Sequence, residues 1–356
     1  MSEVVIVGGG ISGLTLAIAA VGHGHHVTVY ERGEPCAAEG GGAYLTVSGR
    51  ALASLDRLGI GERLRSRGTE VHSGVLTAAD GITSRRPLPL VDGIGHRHFW
   101  RRDLLTALHE RCLEVGACIV HLAEVTAVDK LPTGVRLQLA NGRTVDGEVL
   151  IGCDGLSSRV RSNIIAGPTT PIYEGQVVLY GHHGESSQHP EFEVGALSFI
   201  RHREHTFGVL NAGAAGTFWF ARLTRDALPP EEIGRHLSQA WKEELTAAFS
   251  SSILDISSFV DATPVLFGCN AERVPDLPTW GNQRAMILGD AAHGMSPAAG
   301  QGATLSIADA LTIAPLLDPH TPKSAFTAAI AERRSAANAA RNMSAPPPPV
   351  ARQTSI

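Results

Sequence analysis

A glycine-rich turn near the amino terminus constrains this chain more than any other feature of its 356 residues. The turn is Gly8-Gly9-Gly10-Ile11-Ser12-Gly13, and it follows an apolar run at 4–7 that is typical of a strand buried on both faces. Residues 12–21 predict a helix of small side chains, and residues 27–30 predict a second strand. Together they make a βαβ unit within about thirty residues. The sequence therefore predicts a parallel α/β sheet that starts with this unit.

Each glycine of the turn has a physical role in holding a dinucleotide. Gly8 makes the tight turn, Gly10 lets a pyrophosphate approach the backbone, and Gly13 lets the helix pack closely on the strand. Ser12 lies in the first helical turn, whose free N–H groups favour a phosphate. Glu31, 18 residues past Gly13, can accept hydrogen bonds from an adenosine ribose and disfavours a 2′-phosphate there. The site suits FAD or NAD and not NADP; a glycine turn without a ligand is the alternative.

A second strand–loop–helix motif distinguishes FAD from NAD. Residues 285–288 are strand-like and lead to Gly289-Asp290, and a loop of small residues from Pro297 to Gly302 precedes a helix predicted near 303–317. Asp290 can bind the hydroxyls of a polyol, and a flat ring can rest near the backbone of Gly300–Ala303. FAD carries a ribitol and NAD has no polyol, so the motif favours FAD. The alternative is a capping Asp in an ordinary strand–turn–helix.

Composition excludes several other classes of protein. The chain has 35 acidic and 30 basic residues, and this net charge of −5 gives no basic surplus for nucleic acid. Hydrophobic residues at 43% and charged residues at 18% exclude global disorder. Five cysteines without a CxxC pair argue against a disulfide framework and favour the reducing cytoplasm. The apolar opening has no basic start and is interrupted by glycines, so neither a secretory signal nor a membrane span is predicted.

The middle of the chain changes from an α/β pattern to alternating short strands. Before this change, the spacing of apolar residues predicts helices at 48–58 and 102–115, and an apolar run predicts a strand at 149–151. After it, apolar side chains alternate at Phe192/Val194/Ala196 and at Phe218/Phe220, as in strands. A helix is predicted from Pro229 and Pro230, with the apolar stripe Ile233, Leu237, Trp241 and Leu245. We predict a doubly wound FAD-binding domain (1–70, 95–170 and 275–343). An antiparallel-sheet substrate domain is inserted into it (71–94 and 171–274), and a proline-containing disordered tail follows (344–356).

These motifs resemble those of the FAD-dependent single-component aromatic monooxygenases, the group A or p-hydroxybenzoate hydroxylase-like family. The resemblance rests on three segments: the glycine turn, Gly289-Asp290 with His293 and the Pro297-to-Gly302 loop, and Gly152-Cys153-Asp154-Gly155. It implies that Asp154 takes part in FAD and NAD(P)H binding, that Arg101 reaches the flavin nucleotide, and that Gly40–Gly42 lies beside the isoalloxazine. The cofactor-binding residues expected on this basis are Gly8, Gly10, Ser12, Gly13, Glu31, Arg32, Gly42, Arg101, Val125, Asp154, Gly289, Asp290, Pro297, Gly300, Gly302 and Ala303.

The resemblance also implies an activity. In this family NAD(P)H reduces FAD, and a flavin hydroperoxide then hydroxylates or epoxidises a small aromatic or polyketide-like molecule. The chain looks closer to the compact branch that includes salicylate hydroxylases and tetracycline-modifying monooxygenases than to the phenol hydroxylases, whose extra carboxy-terminal domain is not expected here. Thr304 and Gly294 depart from the common family pattern near the flavin, so the substrate geometry is expected to differ. The alternatives are a dehydrogenase, isomerase or cyclase of the same fold that inserts no oxygen, and a catalytically silent FAD-binding module.

Catalytic side chains are not assigned by the sequence. His293 is expected to be structural rather than a proton carrier. The histidines of the insertion do not have the spacing of a metal site: His182, His183, His189, His202 and His205. Of Phe199, Phe207, Phe218 and Phe220, about half are expected to be ordinary core residues and the others to line an aromatic substrate pocket.

We predict that the purified protein is yellow and carries non-covalent FAD, because a phosphate-binding turn, a ribose acceptor and a polyol acceptor occur in one chain. An absorbance spectrum before and after acid precipitation checks both points. Folded protein that takes up neither FAD nor FMN would contradict the prediction.

Overall fold

The computed structural model describes residues 2–34, 44–184, 189–296, 300–318 and 320–344. The strands in these ranges are β1 (Glu3–Val7), β2 (His26–Tyr30), β3 (Tyr44–Val47), β4 (Thr69–Val71), β5 (Ser73–Thr77), β6 (Thr83–Pro87), β7 (His96–Trp100), β8 (Cys118–Val120), β9 (Val125–Leu131), β10 (Gly134–Leu139), β11 (Thr144–Gly147), β12 (Val149–Gly152), β13 (Ile172–His183), β14 (Ala196–His202), β15 (His205–Asn211), β16 (Thr217–Thr224), β17 (Leu266–Arg273) and β18 (Ala285–Ile287). The α-helices are α1 (Ile11–Gly22), α2 (Gly49–Arg57), α3 (Gly61–Arg67), α4 (Arg101–Glu114), α5 (Arg159–Ile164), α6 (Gln239–Ala248), α7 (Ser257–Ala262), α8 (Asp290–His293), α9 (Gly302–Ile313) and α10 (Lys323–Ser344). Gly40–Gly42, Pro297 and the predicted tail beyond residue 344 lie outside the described residues.

A parallel sheet of five strands organises the amino- and carboxy-terminal parts of the chain. Its order is β18-β12-β1-β2-β8, and every neighbouring pair is parallel. The inner strands are continuous apolar runs because other elements cover them: α1 contacts β1 and β2, and strands β10 and β11 contact β12 and β1. Strand β12 is buried along its whole length. Helix α1 is buried from Ile11 to Ala20 and packs against α4 and α9. The predicted βαβ unit and doubly wound sheet are therefore confirmed.

The antiparallel part of the fold is dominated by one sheet of seven strands. Its order is β17-β13-β16-β15-β14-β5-β6, so strands at 73–87 join those at 172–273. Strands β14 and β5 pair in parallel, and every other neighbouring pair is antiparallel. One face packs against α6 and α7 around Phe207, Trp219 and Phe259, which form a second hydrophobic core. The inserted antiparallel sheet is confirmed, and the residue boundaries drawn between the two domains stay a prediction. Two smaller antiparallel sheets, β11-β10-β9 and β3-β7-β4, complete the described fold.

Two elements of the insertion begin later than the sequence predicted. The helix expected from Pro229 begins at Gln239, because Gly234 has φ +69° and donates its N–H to the carbonyl of Gly268. Leu237 likewise donates its N–H to Leu266 of β17, so backbone pairing with this strand replaces the first helical turns. Ile233, predicted in the apolar stripe, is exposed. Strand β14 begins at Ala196, so the alternating residues Phe192 and Val194 precede it.

A buried polar network joins the last three helices. Asp309 of α9 is fully buried and receives hydrogen bonds from His293 of α8 (Nε2 to Oδ2, 2.5 Å) and Arg333 of α10 (Nε to Oδ1, 2.7 Å). The N–H of Gly289 also donates to Oδ2 of Asp309, at 3.1 Å. Burial lowers the pKa of His293, but the Asp309 carboxylate outweighs it and the pKa is raised overall. His293 therefore has a structural position, as the sequence favoured.

We predict a pH-dependent stability contribution from His293. Its folded-state pKa is raised above that of the unfolded chain, so the contribution is complete below about pH 6.5 and is lost as the pH rises through the folded-state value. Urea unfolding across this range should show a free energy of unfolding that falls in the wild type, with this part of the fall absent in His293→Gln. His26→Gln, at an exposed position, is the control. The same pH dependence in wild type and His293→Gln would contradict the prediction.

Candidate active site

A cavity of about 550 Å³ lies at the carboxyl ends of the parallel strands. The loops after β1, β2 and β12 form its walls, which is where ligands bind in open parallel sheets. We call it the first cavity. The predicted site residues that line it are Gly8, Gly10, Glu31, Arg32, Arg101, Val125 and Asp154.

The glycine turn leaves the start of α1 open toward this cavity. Gly8 has φ +106°, and a Cβ there would lie 2.3 Å from the carbonyl oxygen of Cys153. A Cβ on Gly13 would lie 2.0 Å from the oxygen of Gly8, whereas Gly10 has open space beside it. Within the described residues, the amides of Gly10, Ile11 and Ser12 make no hydrogen bond. The turn thus presents free N–H groups at a helix start, an arrangement that binds phosphate.

Glu31 connects the glycine turn to the loop after β2. Its carboxylate accepts the N–H of Gly9 (2.6 Å) and the N–H of Gly33 (2.7 Å). Each oxygen keeps a further lone pair for a ligand hydroxyl. Arg32, Arg101 and Arg159 lie around the same cavity, and none of the three forms an ion pair in the part of the chain that is described. The first cavity is therefore bordered by unpaired cations, which suits a diphosphate.

Asp154 has a structural task in addition to its predicted one. Its carboxylate accepts the Ser158 hydroxyl (2.5 Å) and the N–H groups of Arg159 (2.7 Å) and Val160 (3.0 Å), which lie at the start of α5. The buried Arg161 donates to the carbonyls of Leu156, Thr169 and Ala291 and holds this loop against α8. The role in FAD and NAD(P)H binding that the resemblance implied for Asp154 stays a prediction.

A second cavity, of about 490 Å³, adjoins the first. The two share the lining residues Gly10, Arg101, Cys153 and Gly155. The predicted site residues that line the second cavity are Gly10, Ser12, Arg101, Asp290, Gly300, Gly302 and Ala303. Gly13 and Gly289 line neither cavity and serve close packing, because a Cβ on Gly289 would lie 2.9 Å from Ser12. Gly42 and Pro297 are outside the described residues.

The Asp290 carboxylate is available to a ligand. It is exposed, faces the second cavity and makes no hydrogen bond within the described ranges. The alternative of a capping Asp is therefore not what the structure has, since Gly289 occupies the cap position of α8 without a side-chain bond. The Glu31 carboxylate, the open glycine turn and the free Asp290 carboxylate thus lie along the two adjoining cavities. This donor and acceptor set fits an extended dinucleotide with a polyol.

Aromatic residues of the seven-stranded sheet form the far wall of the second cavity. Phe199, Phe218 and Phe220 line it, whereas Phe207 is buried in the second core and stacks on Trp219 at 5.3 Å. More of the four phenylalanines thus face the cavity than the expected half. Gly208 lies opposite Phe220, whose ring would be 2.1 Å from a Cβ at this position. The missing side chain leaves the space that this ring occupies.

Several polar residues of this cavity were not predicted from the sequence. They are Tyr44 and Thr46 on β3, His96 and His98 on β7, Tyr180 on β13 and Arg222 on β16. Arg222 could have been found, because it is two residues beyond Phe220 in the same alternation. The two histidines come from a strand that the sequence pattern did not identify.

Metal clusters and membrane-spanning helices are both absent from the described residues. No group of three or more His, Cys, Asp or Glu side chains there is placed to hold a metal ion. His182, for example, bonds the carbonyl of Ala215 through Nε2 (2.9 Å). No described helix combines the length and the apolar character needed to cross a bilayer.

Comparison with known proteins identifies the class. A family model described as "FAD binding domain" matches residues 1–341, so the chain belongs to this family of flavoproteins. FAD is its cofactor, and the resemblance found in the motifs is confirmed. The chain is similar to the chloroplastic zeaxanthin epoxidase of Solanum lycopersicum, with 28% identity over 347 residues, 91% of this chain and 49% of that protein. It is also similar to aurachin C monooxygenase/isomerase of Stigmatella aurantiaca, with 29% identity over 327 residues, 87% of this chain and 79% of that protein.

A solved structure shares the complete fold. The substrate complex of a salicylate hydroxylase superposes with a TM-score of 0.80 at 20% identity, covering 99% of this chain and 91% of that one. The chain spans about half the length of the zeaxanthin epoxidases that it matches.

We predict that Asp290→Ala weakens FAD binding by about 1.5–3 kcal/mol, roughly 10- to 150-fold, through loss of a charged acceptor for polyol hydroxyls. Glu31→Ala should weaken FAD by a similar or smaller amount. Fluorescence titration of the apoprotein with FAD measures both. Asp261→Ala, at an exposed position of α7, is the control. Wild-type FAD affinity in Asp290→Ala would show that the polyol assignment is wrong.

Proposed function

We propose that this protein is an FAD-dependent monooxygenase that uses NAD(P)H and dioxygen to hydroxylate or epoxidise a small aromatic or polyketide-like molecule. The observation that carries the proposal is the aromatic-walled second cavity, which directly adjoins the cofactor-sized first cavity. The names of the relatives support the reaction class, since they are an epoxidase, a monooxygenase/isomerase and a hydroxylase.

In the proposed reaction, the cofactor and the residues around the two cavities have different tasks. Bound FAD, reduced by NAD(P)H, supplies the oxygen-transfer chemistry. The residues of the chain hold its phosphates at the α1 start, place a flat substrate against Phe199, Phe218 and Phe220, and exclude water from the reacting centre. Aromatic side chains suit this task because they bind flat rings without offering a competing nucleophile.

Three titratable side chains of the second cavity, Tyr44, Tyr180 and His98, keep a fixed protonation state near neutral pH. Burial raises the pKa of the Tyr44 and Tyr180 phenols well above the usual range, so both stay protonated. The Tyr44 hydroxyl also donates to the carbonyls of Gly181 and Trp219. Burial, with His182 nearby, lowers the pKa of His98 to about 3, so its imidazole is neutral. These side chains therefore orient a substrate by hydrogen bonds and do not act as strong bases.

We also propose the reducing cytoplasm as the location. The described cysteines, Cys112, Cys118, Cys153 and Cys269, are all free thiols. Burial raises the pKa of Cys112 and of Cys153 to about 12, so both thiols are unreactive.

We predict that a true substrate accelerates NAD(P)H oxidation at least about tenfold, a barrier change of roughly 1.4 kcal/mol. NAD(P)H is not consumed without product when FAD is reduced quickly only while a substrate is bound. A substrate screen that follows NAD(P)H absorbance tests this, and the product should carry one oxygen atom from labelled dioxygen. Turnover that proceeds equally well without oxygen and without NAD(P)H would contradict the proposal and favour an isomerase or cyclase.

A further inference from the structure

Two histidines outside both cavities face each other beside the loop that follows β2. His109 lies on α4, and His121 directly follows β8. Their Nε2 atoms are 3.1 Å apart, and the centroids of their rings are 5.3 Å apart. Neither residue lines the first or the second cavity, so the proposed reaction makes no use of them.

The imidazole of His121 is held by the backbone. Its Nδ1 lies 3.2 Å from the carbonyl oxygen of Gly33, and a carbonyl can only accept, so the proton of the neutral ring is on Nδ1. The Nε2 atom of His121 therefore carries a lone pair on the side of His109. A histidine that ligates a metal is usually held in this way, with its other ring N–H donated to a carbonyl or a carboxylate.

His109 is suited to be a ligand because its imidazole is neutral at pH 7. Burial and the neighbouring His121 lower its pKa, and Glu110 opposes them. In the contact between the two rings, His109 donates its Nε2 proton to the lone pair of His121. Moving this proton to Nδ1 of the same ring exposes a second lone pair, and no proton has to leave the protein.

The distance between the two nitrogens matches that of two ligands of one metal ion. With metal–nitrogen bonds of about 2.0–2.1 Å, two imidazole nitrogens lie about 2.9 Å apart at a right angle and about 3.4 Å apart at the tetrahedral angle. The observed 3.1 Å lies between these values. No third His, Cys, Asp or Glu of the described residues joins the pair, so water completes the coordination of such an ion.

The segment that carries His121 also holds the loop that carries Glu31. The N–H of Glu31 donates to the carbonyl of Val120, and the N–H of Ala123 donates to the carbonyl of Glu31, both at 2.9 Å. The bond from His121 to Gly33 adds a third connection. Glu31 lines the first cavity, so a link between α4 and this segment fixes one wall of the cofactor site.

We propose that His109 and His121 bind one divalent transition-metal ion, Zn²⁺ or Cu²⁺, and that the bound ion strengthens FAD binding. Imidazole favours these ions, whereas Mg²⁺ and Ca²⁺ prefer oxygen ligands. The ion joins α4 to the segment beside Gly33 and thereby stabilises the loop that carries Glu31. Because the two ligands favour the same arrangement of this loop, each tightens the binding of the other. The inference depends on the fold and on FAD, and it is independent of oxygen transfer.

Calorimetric titration of the FAD-loaded protein without an affinity tag tests the site. We expect one Zn²⁺ per chain in wild type and no binding of Mg²⁺. Zn²⁺ should bind at least about tenfold more weakly in His109→Gln and in His121→Gln, since loss of even an outer partner typically weakens metal binding about 10- to 100-fold. His26→Gln is the matched control, because His26 is exposed and has a carboxylate, Glu3, at 3.7 Å. It should bind Zn²⁺ as wild type does.

Electron paramagnetic resonance of bound Cu²⁺ identifies the ligands independently of affinity. The spectrum of the wild type should show hyperfine coupling to a pair of imidazole nitrogens, and that of His121→Gln coupling to a single one. His109→Gln without metal should retain the FAD affinity of the metal-free wild type. This result separates loss of the site from loss of the fold.

Release of FAD from the diluted holoprotein tests the coupling. Free FAD is more fluorescent than bound FAD, so the fluorescence after dilution gives the Kd. Zn²⁺ should lower this Kd at least about fivefold in wild type, at the lower end of typical coupling between sites, and should leave it unchanged in His109→Gln.

Three results would overturn the inference. Equal Zn²⁺ binding in wild type and in both histidine variants would reduce the pair to an ordinary hydrogen bond. Binding of Mg²⁺ as tight as that of Zn²⁺ would contradict an imidazole site. An FAD affinity that does not change when Zn²⁺ occupies the histidines would refute the coupling. None of these measurements uses NAD(P)H or oxygen, so their outcome is separate from that of the monooxygenase proposal.

Discussion

Close backbone contact between the glycine turn and the end of β12 is the constraint on which the site depends. The N–H of Cys153 donates to Val7 at 2.7 Å, and the space where Gly8 would carry a Cβ is filled by the Cys153 carbonyl. Any side chain at Gly8 or Gly13 would force α1 away from the sheet. With this contact in place, the free amides at the α1 start point between two loops, and Gly10 lies where the two cavities meet.

The inserted sheet uses the two-residue period of a strand to serve two purposes at once. On β16, Phe218, Phe220 and Arg222 face the second cavity, while Trp219 and Ala221 between them belong to the second core. The core side stabilises the sheet by burying apolar surface. The cavity side is thereby free to carry groups that would be unfavourable in a core, including the unpaired guanidinium.

Polar side chains of the molecule differ in how completely the protein supplies their hydrogen-bond partners. Asp154 and Asp309 have their carboxylates filled by protein donors, and they hold α5 and the three carboxy-terminal helices in place. Asp290 has no protein donor among the described residues, and Arg222 has no anion there. Asp290 and Arg222 therefore depend on a ligand for a partner, whereas the role of Asp154 in cofactor binding stays a prediction.

The sequence by itself determined the parallel sheet, the antiparallel insertion, the cofactor and seven of the 21 residues around the first cavity. These follow from glycine spacing, apolar runs and alternation, which are properties of neighbouring residues. The early helix start at Pro229 was wrong because β17, some thirty residues away along the chain, captures the backbone at Gly234 and Leu237. That His98 and Arg222 line one cavity was invisible for the same reason. Which polar groups find a partner depends on residues distant in the chain, and only the tertiary structure decides it.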